Sequence, residues 1–321
     1  MGEENGYKYR IASLFAGCGG MDLGFKGGFS FLGKQYDKHP FEIVWANEIR
    51  PAACKTYEAN FKHGIVCGDI WNHVSEIPKD IDVLIGGFPC QDVSINGKMA
   101  GANGARTGLY RAMVKAVELT NPTVFIAENV KGLVLKAHEK SLQQIIADFS
   151  DIGYDVSYSL YHVADYGVPQ LRERVIIIGT KKGSMPFGEI EKPLSQKQWI
   201  TVKEAIDDLK NLDEDKSFGH IWSKAKKTGE QGGRIMDAKK PGYTIRAECH
   251  GNIQFHYDLP RRISMREAAR IQSFPDSFIL PCGLRETERQ LGNAVPPVFA
   301  WHIAKAVADY LKIGSANDSC S

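Results

Sequence analysis

At 321 residues, 43% of them hydrophobic, the chain can bury a substantial core, and its length suits one large domain with a smaller one or an insertion. Lys and Arg number 40 against 38 Asp and Glu, a formal charge of +2 that excludes both an acidic disordered chain and a uniformly basic, histone-like one. No apolar run approaches the ~18–20 residues of a spanning helix, and the start MGEENGYKYR lacks a basic-then-apolar leader, so a cytoplasmic protein is expected.

In chain order, RIASLF (Arg10 to Phe15) reads as a buried strand broken by AGCGG before the short helix of MDLGF. FEIVWANE (Phe41 to Glu48) is a second strand, and Pro51 suits the first position of a helix running through AACKTYEANF. IVCGD and DVLIGG (Asp82 to Gly87) supply two more strands, Leu109 to Leu119 a helix, and TVFIAEN (Thr123 to Asn129) a fifth strand. This alternation predicts a mostly parallel sheet covered by helices on both faces. After a helix near Ser141 to Phe149, VSYSLYHV and RVIIIGT form an antiparallel pair, and the α/β rhythm ends near Thr180.

From there to about Tyr257 the chain turns polar and Gly- and Lys-rich, as in a small irregular domain with short β-like pieces. Between Lys210 and Arg246 nine basic residues face five acidic ones, a local excess that suits a phosphate backbone. SMRE (Ser264 to Glu267) has the form of a capping box for a helix through AARIQS, and VFAWHIAKAVADYL is an amphipathic helix able to pack back on the first domain. Seven cysteines without a C-x-x-C pair suggest neither a disulfide framework nor a zinc site, so no metal is expected.

The turn FAGCGG lets backbone approach a ligand closely, and Glu48 and Asp69 follow the second and third strands at the edge where open α/β sheets bind nucleotides. A carboxylate in the first place suits ribose hydroxyls, and one in the second an adenine amino group. A dinucleotide dehydrogenase would also use the first, but wants a G-x-G-x-x-G that FAGCGGMDLGF does not supply. GGFPCQDVS puts Cys90 just past the fourth strand; an inert buried thiol is the commoner role of a lone cysteine, yet Arg172 and Arg174, two residues apart, offer cations that lower a thiol pKa. Glu128 ends the fifth strand beside that loop, where a carboxyl group could stay protonated and donate to a ring nitrogen, or serve as an ion-pair partner.

Read together, FAGCGGMDLGF, NE (Asn47, Glu48), GDI (Gly68 to Ile70), GGFPCQDVS, RTGLY, ENV (Glu128 to Val130), YGVPQLRERVIIIG, RRISMREAARIQSFPD and QLGNAVPP stand in the order of the bacterial C5-cytosine DNA methyltransferases of restriction-modification systems, which the chain resembles over nearly its whole length. The resemblance implies a Rossmann-like, S-adenosyl-L-methionine-dependent catalytic domain over 1–181, a β-rich target-recognition domain over 182–257, a hinge and connecting helix over 258–289, and a segment over 290–321 that returns to the catalytic domain. It implies cofactor contacts at Phe15, Gly17, Gly20, Glu48, Asp69, Ile70, Leu109, Asn293 and Val295. Cys90 would be the nucleophile, Glu128 would bond cytosine N3, Arg174 would hold O2 and Arg172 would help orient the loop.

The chemistry accounts for these residue types: C5 of cytosine is a poor nucleophile until a thiolate adds at C6 and gives it enamine character. The base must leave the duplex to be reached. By the same match Gln231 would fill the vacated stack, Arg234 would read guanine, and Ser94 and Thr244 would also face double-stranded DNA. A monomer is expected, with any cognate restriction endonuclease acting as a separate protein. Cys18 at a variable position, Ile263 in place of Leu, and a longer segment GKQYDKHP are departures that remove no catalytic group. Two alternatives stand beside this reading: a tRNA cytosine methyltransferase of the same fold, whose second-domain Cys-Phe-Thr motif is absent, and a non-catalytic DNA-binding regulator.

Overall fold

The computed structural model describes residues 8–89, 108–224, 234–247 and 254–318. Its strands are β1 (Tyr9–Leu14), β2 (Phe29–Phe31), β3 (Lys34–Tyr36), β4 (Phe41–Glu48), β5 (Val66–Cys67), β6 (Val83–Gly86), β7 (Val124–Val130), β8 (Tyr154–His162), β9 (Gln170–Leu171), β10 (Glu173–Lys181) and β11 (Gly242–Tyr243). The helices are α1 (Gly20–Lys26), α2 (Pro51–Asn60), α3 (Ile70–His73), α4 (Leu109–Thr120), α5 (Glu139–Asp151), α6 (Val202–Ile206), α7 (Met265–Ile271), α8 (Leu284–Asn293) and α9 (Pro297–Asp318).

Seven strands form one sheet in the order β5-β4-β1-β6-β7-β10-β8, parallel except for β10, which runs antiparallel to both β7 and β8. The sheet is apolar on both faces, and successive residues alternate between two cores: Ile11, Val83 and Ile126 pack with Phe25 and Phe299 of α1 and α9, while Ala12, Leu84 and Phe125 pack with Met113 and Phe149 of α4 and α5. From β1 the chain builds outward to β4 and β5, then crosses to β6 and β7 on the other side. This reversal opens a crevice at the carboxyl ends of β1, β4 and β6, where ligands sit in such sheets.

The long segment after α1 contains a hairpin, β2–β3, which the sequence pattern did not mark as strands; its turn uses Leu32 and Gly33 at φ 46 and 75. Helix α9 packs against α1: a Cβ on Gly24 would stand 2.3 Å from that of Ala300. Among the described residues of 182–257, regular strand is confined to β11, with bridges Asp215–His220 and Ile235–Phe255. The capping box of α7 is present at Ser264 and Glu267. From α7 the buried Arg266 donates to the carbonyls of Phe218 at 2.8 Å, Pro275 at 3.1 Å and Phe278 at 2.8 Å, joining the second region to the loop after α7. No helix among the described residues is long and apolar enough to cross a membrane.

Candidate active site

The carboxyl ends of β1 and β4 are locked together. Leaving β1, the chain takes a left-handed turn at Phe15 (φ 55) and again at Gly17 (φ 59) and Gly19 (φ 88) before α1 begins. Ala16 N–H donates to the carbonyl of Asn47 at 3.0 Å, and Gly17 N–H to Oε2 of Glu48 at 3.0 Å. The other Glu48 oxygen accepts from Arg50 N–H at 2.9 Å, so this buried carboxylate bridges two turns. Asn47 carries the tie onward, donating to the carbonyls of Val66 at 2.9 Å and Gly68 at 3.0 Å. Exposed Asp69 caps α3 by accepting from Trp71 N–H at 3.1 Å, above buried Ile70.

The two glycines of this turn differ in purpose. Nothing lies within 4 Å of a Cβ built on Gly17, so that edge faces open space, whereas a Cβ on Gly20 would fall 2.3 Å from the carbonyl oxygen of Val295. Gly20 therefore admits the C-terminal segment, and its sequence-level assignment as a ligand contact has a packing reason beside it. Asn293 is exposed, Val295 is buried, and Leu109 is half-buried at the first turn of α4. Cys18, in the same turn, is fully buried, and burial pushes its thiol up to about 12, which makes it inert.

A second cluster lies at the ends of β6, β7 and β10. Antiparallel pairing sets Arg174 opposite Val130, and its Nε lies 2.6 Å from Oε1 of Glu128 with both side chains largely buried. A Cβ on Gly87 would stand 3.1 Å from Oε2 of Glu128, so the glycine leaves this oxygen room beside the loop that leads to Cys90. Asn129 fastens that loop by donating to the carbonyl of Phe88 at 2.9 Å. Burial lowers the pKa of Arg174, and the Glu128 carboxylate opposes the shift. A carboxylate and a guanidinium held side by side can present one acceptor face and one donor fork to a planar heterocycle.

Cys90, Ser94 and Gln231 lie outside the described residues. Arg172 does not join the Glu128–Arg174 pair: it donates to the carbonyls of Ile245 at 2.9 Å, Gly292 at 2.9 Å and Ala294 at 3.0 Å. The extended strand is interrupted between β9 and β10 at this residue, so the two-residue spacing from Arg174 does not aim both guanidinium groups the same way. Arg234 is exposed, its guanidinium 5.4 Å from the ring centre of Tyr243, and Thr244 Oγ1 donates inward to the carbonyl of Leu171. Of the basic residues counted in this region, Lys210, Lys224 and Lys240 are paired with carboxylates, which reduces the cationic excess they offer outward.

The family model for the C-5 cytosine-specific DNA methylases matches residues 9–240 and 216–309. The chain belongs to this family. It is 35% identical to the type II methyltransferase M.NgoFVII of Neisseria gonorrhoeae over 94% of this chain and 86% of that one. It is 36% identical to M.MthTI of Methanothermobacter thermautotrophicus over 92% of this chain and 96% of the relative. The fold matches a prophage-encoded E. coli protein described as a DNA modification methyltransferase with a TM-score of 0.73, at 24% identity, over 95% of this chain and 100% of the other. The protein is an S-adenosyl-L-methionine-dependent DNA cytosine-5 methyltransferase.

Beneath the glycine turn the methylase holds a buried acid that sequence reasoning missed. Asp22 accepts from Tyr57 OH at 2.7 Å and Ser13 Oγ at 3.1 Å, and His63 Nε2 lies 2.8 Å from the same Tyr57 oxygen. A lone Asp in a short amphipathic helix gives no sign that it points inward. Burial lifts its carboxyl from 3.8 to about 6 despite both donors. Between those values Asp22 is protonated in the fold and ionised in the unfolded chain, so its contribution to stability falls as pH rises through the window, by about 3 kcal/mol in all. Replacing Asp22 by Asn removes this term: between pH 4 and 6 the melting temperature of the native protein should decline relative to that of the variant, and parallel curves would contradict the assignment.

Proposed function

We propose that the methylase modifies cytosine within a specific duplex sequence, with residues 182–257 reading the site and Cys90, Glu128 and Arg174 performing the chemistry on an extruded base. The observation that carries this reading is the Glu128–Arg174 pair, which sits at the carboxyl end of β7 and the amino end of the antiparallel β10, with the second Glu128 oxygen beside Gly87, on the loop leading to Cys90. Glu128 engages N3, Arg174 donates to O2, and Cys90 adds at C6 so that C5 gains electron density. Once C5 carries the methyl group, loss of its proton to solvent and breaking of the C6–S bond, which returns the Cys90 thiolate, restore the aromatic ring.

S-adenosyl-L-methionine, when bound, supplies an electrophilic methyl group. The open edge at Gly17, the anchored Glu48 carboxylate and exposed Asp69 fit its nucleoside, since a carboxylate accepts from paired ribose hydroxyls and a second can meet an adenine amino group. Phe15, Ile70, Leu109, Asn293 and Val295 line or support that crevice. Glu48→Gln keeps the shape but exchanges an acceptor oxygen for a donor facing backbone N–H. The KM for S-adenosyl-L-methionine should rise roughly tenfold to a hundredfold, with a smaller change in KM for DNA. Equal effects on both would argue against Glu48 as a cofactor ligand.

Bisulfite sequencing of a plasmid recovered from cells expressing the protein tests the proposal. Conversion-resistant cytosine at every copy of one short sequence is expected; methylation without sequence preference, or preferential methylation of tRNA, would overturn it.

A further inference from the structure

Arg172 is 1% exposed, yet it serves two segments far apart in the chain. One is the stretch around Thr244 and Ile245, bound through the Ile245 carbonyl; the other is the stretch around Asn293, bound through the carbonyls on either side of it. Gln170 repeats the link, its Oε1 accepting from Ile245 N–H at 3.1 Å and its Nε2 donating to Gln272 Oε1 at 2.8 Å. Gln272 in turn donates to the carbonyl of Leu291. The two backbones also touch directly: a Cβ on Gly292 would stand 2.3 Å from Ala247 N, so glycine is required there.

We propose that Arg172 is a positioning residue that locks the 244–247 segment to the 291–295 segment, so that binding at the DNA-facing edge and binding at the cofactor-facing edge reinforce one another. This rests on the assignment of those two edges given above. A planar fork spanning three carbonyls fixes their separation in a way that a single ammonium cannot, and ordering one segment spares part of the entropy lost in ordering the other. Coupling of this kind is reciprocal.

The test uses the full chain and S-adenosylhomocysteine as probe, its affinity measured by calorimetry with and without excess plasmid duplex. In the native protein DNA should tighten the probe about fivefold or more, and Arg172→Lys should bring that factor close to one. In turnover with plasmid DNA, the variant's KM for DNA and for S-adenosyl-L-methionine should both rise roughly tenfold. A merely structural defect would instead lower kcat through the active fraction and leave both KM values alone; that outcome, or undiminished coupling, overturns the proposal.

A measurement on the native protein covers the case in which the variant fails to fold. S-adenosylhomocysteine alone should slow amide hydrogen exchange in peptides spanning 242–247, and unchanged exchange refutes the link. A native protein that methylates plasmid DNA but shows no coupling sinks this inference alone, whereas one that neither methylates DNA nor binds the probe sinks the reading beneath it as well.

Discussion

Replacing Cys90 by serine should abolish methyl transfer while leaving duplex and S-adenosylhomocysteine binding intact. A hydroxyl at neutral pH offers almost no alkoxide, whereas a thiol in a cationic environment offers a substantial fraction of an intrinsically stronger nucleophile. Loss of a covalent nucleophile can cost about 10⁶ in kcat, so a fall of at least ~10⁴, about 5.5 kcal/mol of barrier, is expected in labelled-methyl incorporation. A duplex with 5-fluorocytosine at the target adds an independent readout. Fluorine cannot leave C5 as a proton does, so the native enzyme should remain attached to such DNA under denaturing conditions and Cys90→Ser should not. Turnover at the native rate in the variant would remove Cys90 from the mechanism.

Glu128→Gln should be the next most damaging change, through two separable effects. The substituted amide no longer balances the guanidinium that now lies 2.6 Å from Glu128, and one partner left alone in a buried pair costs about 3–5 kcal/mol of stability. The amide also exchanges a carboxylate oxygen for a donor, so that protonation at N3 loses its partner, a loss of roughly 10²–10⁴ in kcat. Thermal melting reads the first effect and single-turnover methylation the second. A companion Arg174→Gln variant and the double variant close a cycle: if the pair acts as a unit, the double change costs much less than the two single changes added. Activity within a few-fold of native for Glu128→Gln would displace that residue from the reacting base.

The sheet was legible because its strands are short apolar runs cut off by glycines, as in DVLIGG, or by polar residues, as in TVFIAEN, and a sheet buried on both faces needs such runs. Its boundaries came within a residue or two: Phe41–Glu48 is the expected strand, and the expected Leu109–Leu119 helix runs one residue further. The hairpin β2–β3 escaped because three residues per strand are too few for alternation to stand out from a loop. At the site, Glu48 and Glu128 were visible as carboxylates ending strands. The partners of Arg172 were not legible, since side-chain alternation does not carry across a break in the strand that only the folded backbone reveals. Gly20 had a similar hidden reason, a carbonyl that arrives from far downstream. Asp22 was invisible for the opposite cause: its partners Ser13 and Tyr57 lie on other elements, β1 and α2, so no pattern within its own helix announced a buried network.

The packing of α9 on α1 through Gly24 and Ala300 gives the molecule a temporal property. Strand β1 and the glycine turn are synthesised long before residues 293–295 and the helix that packs against α1. A nascent chain consequently lacks the contacts of Gly20 with Val295 and of Gly24 with Ala300 until that later stretch has been made. The same closure predicts that two separately expressed fragments divided ahead of α8 would regain activity only on reassociation.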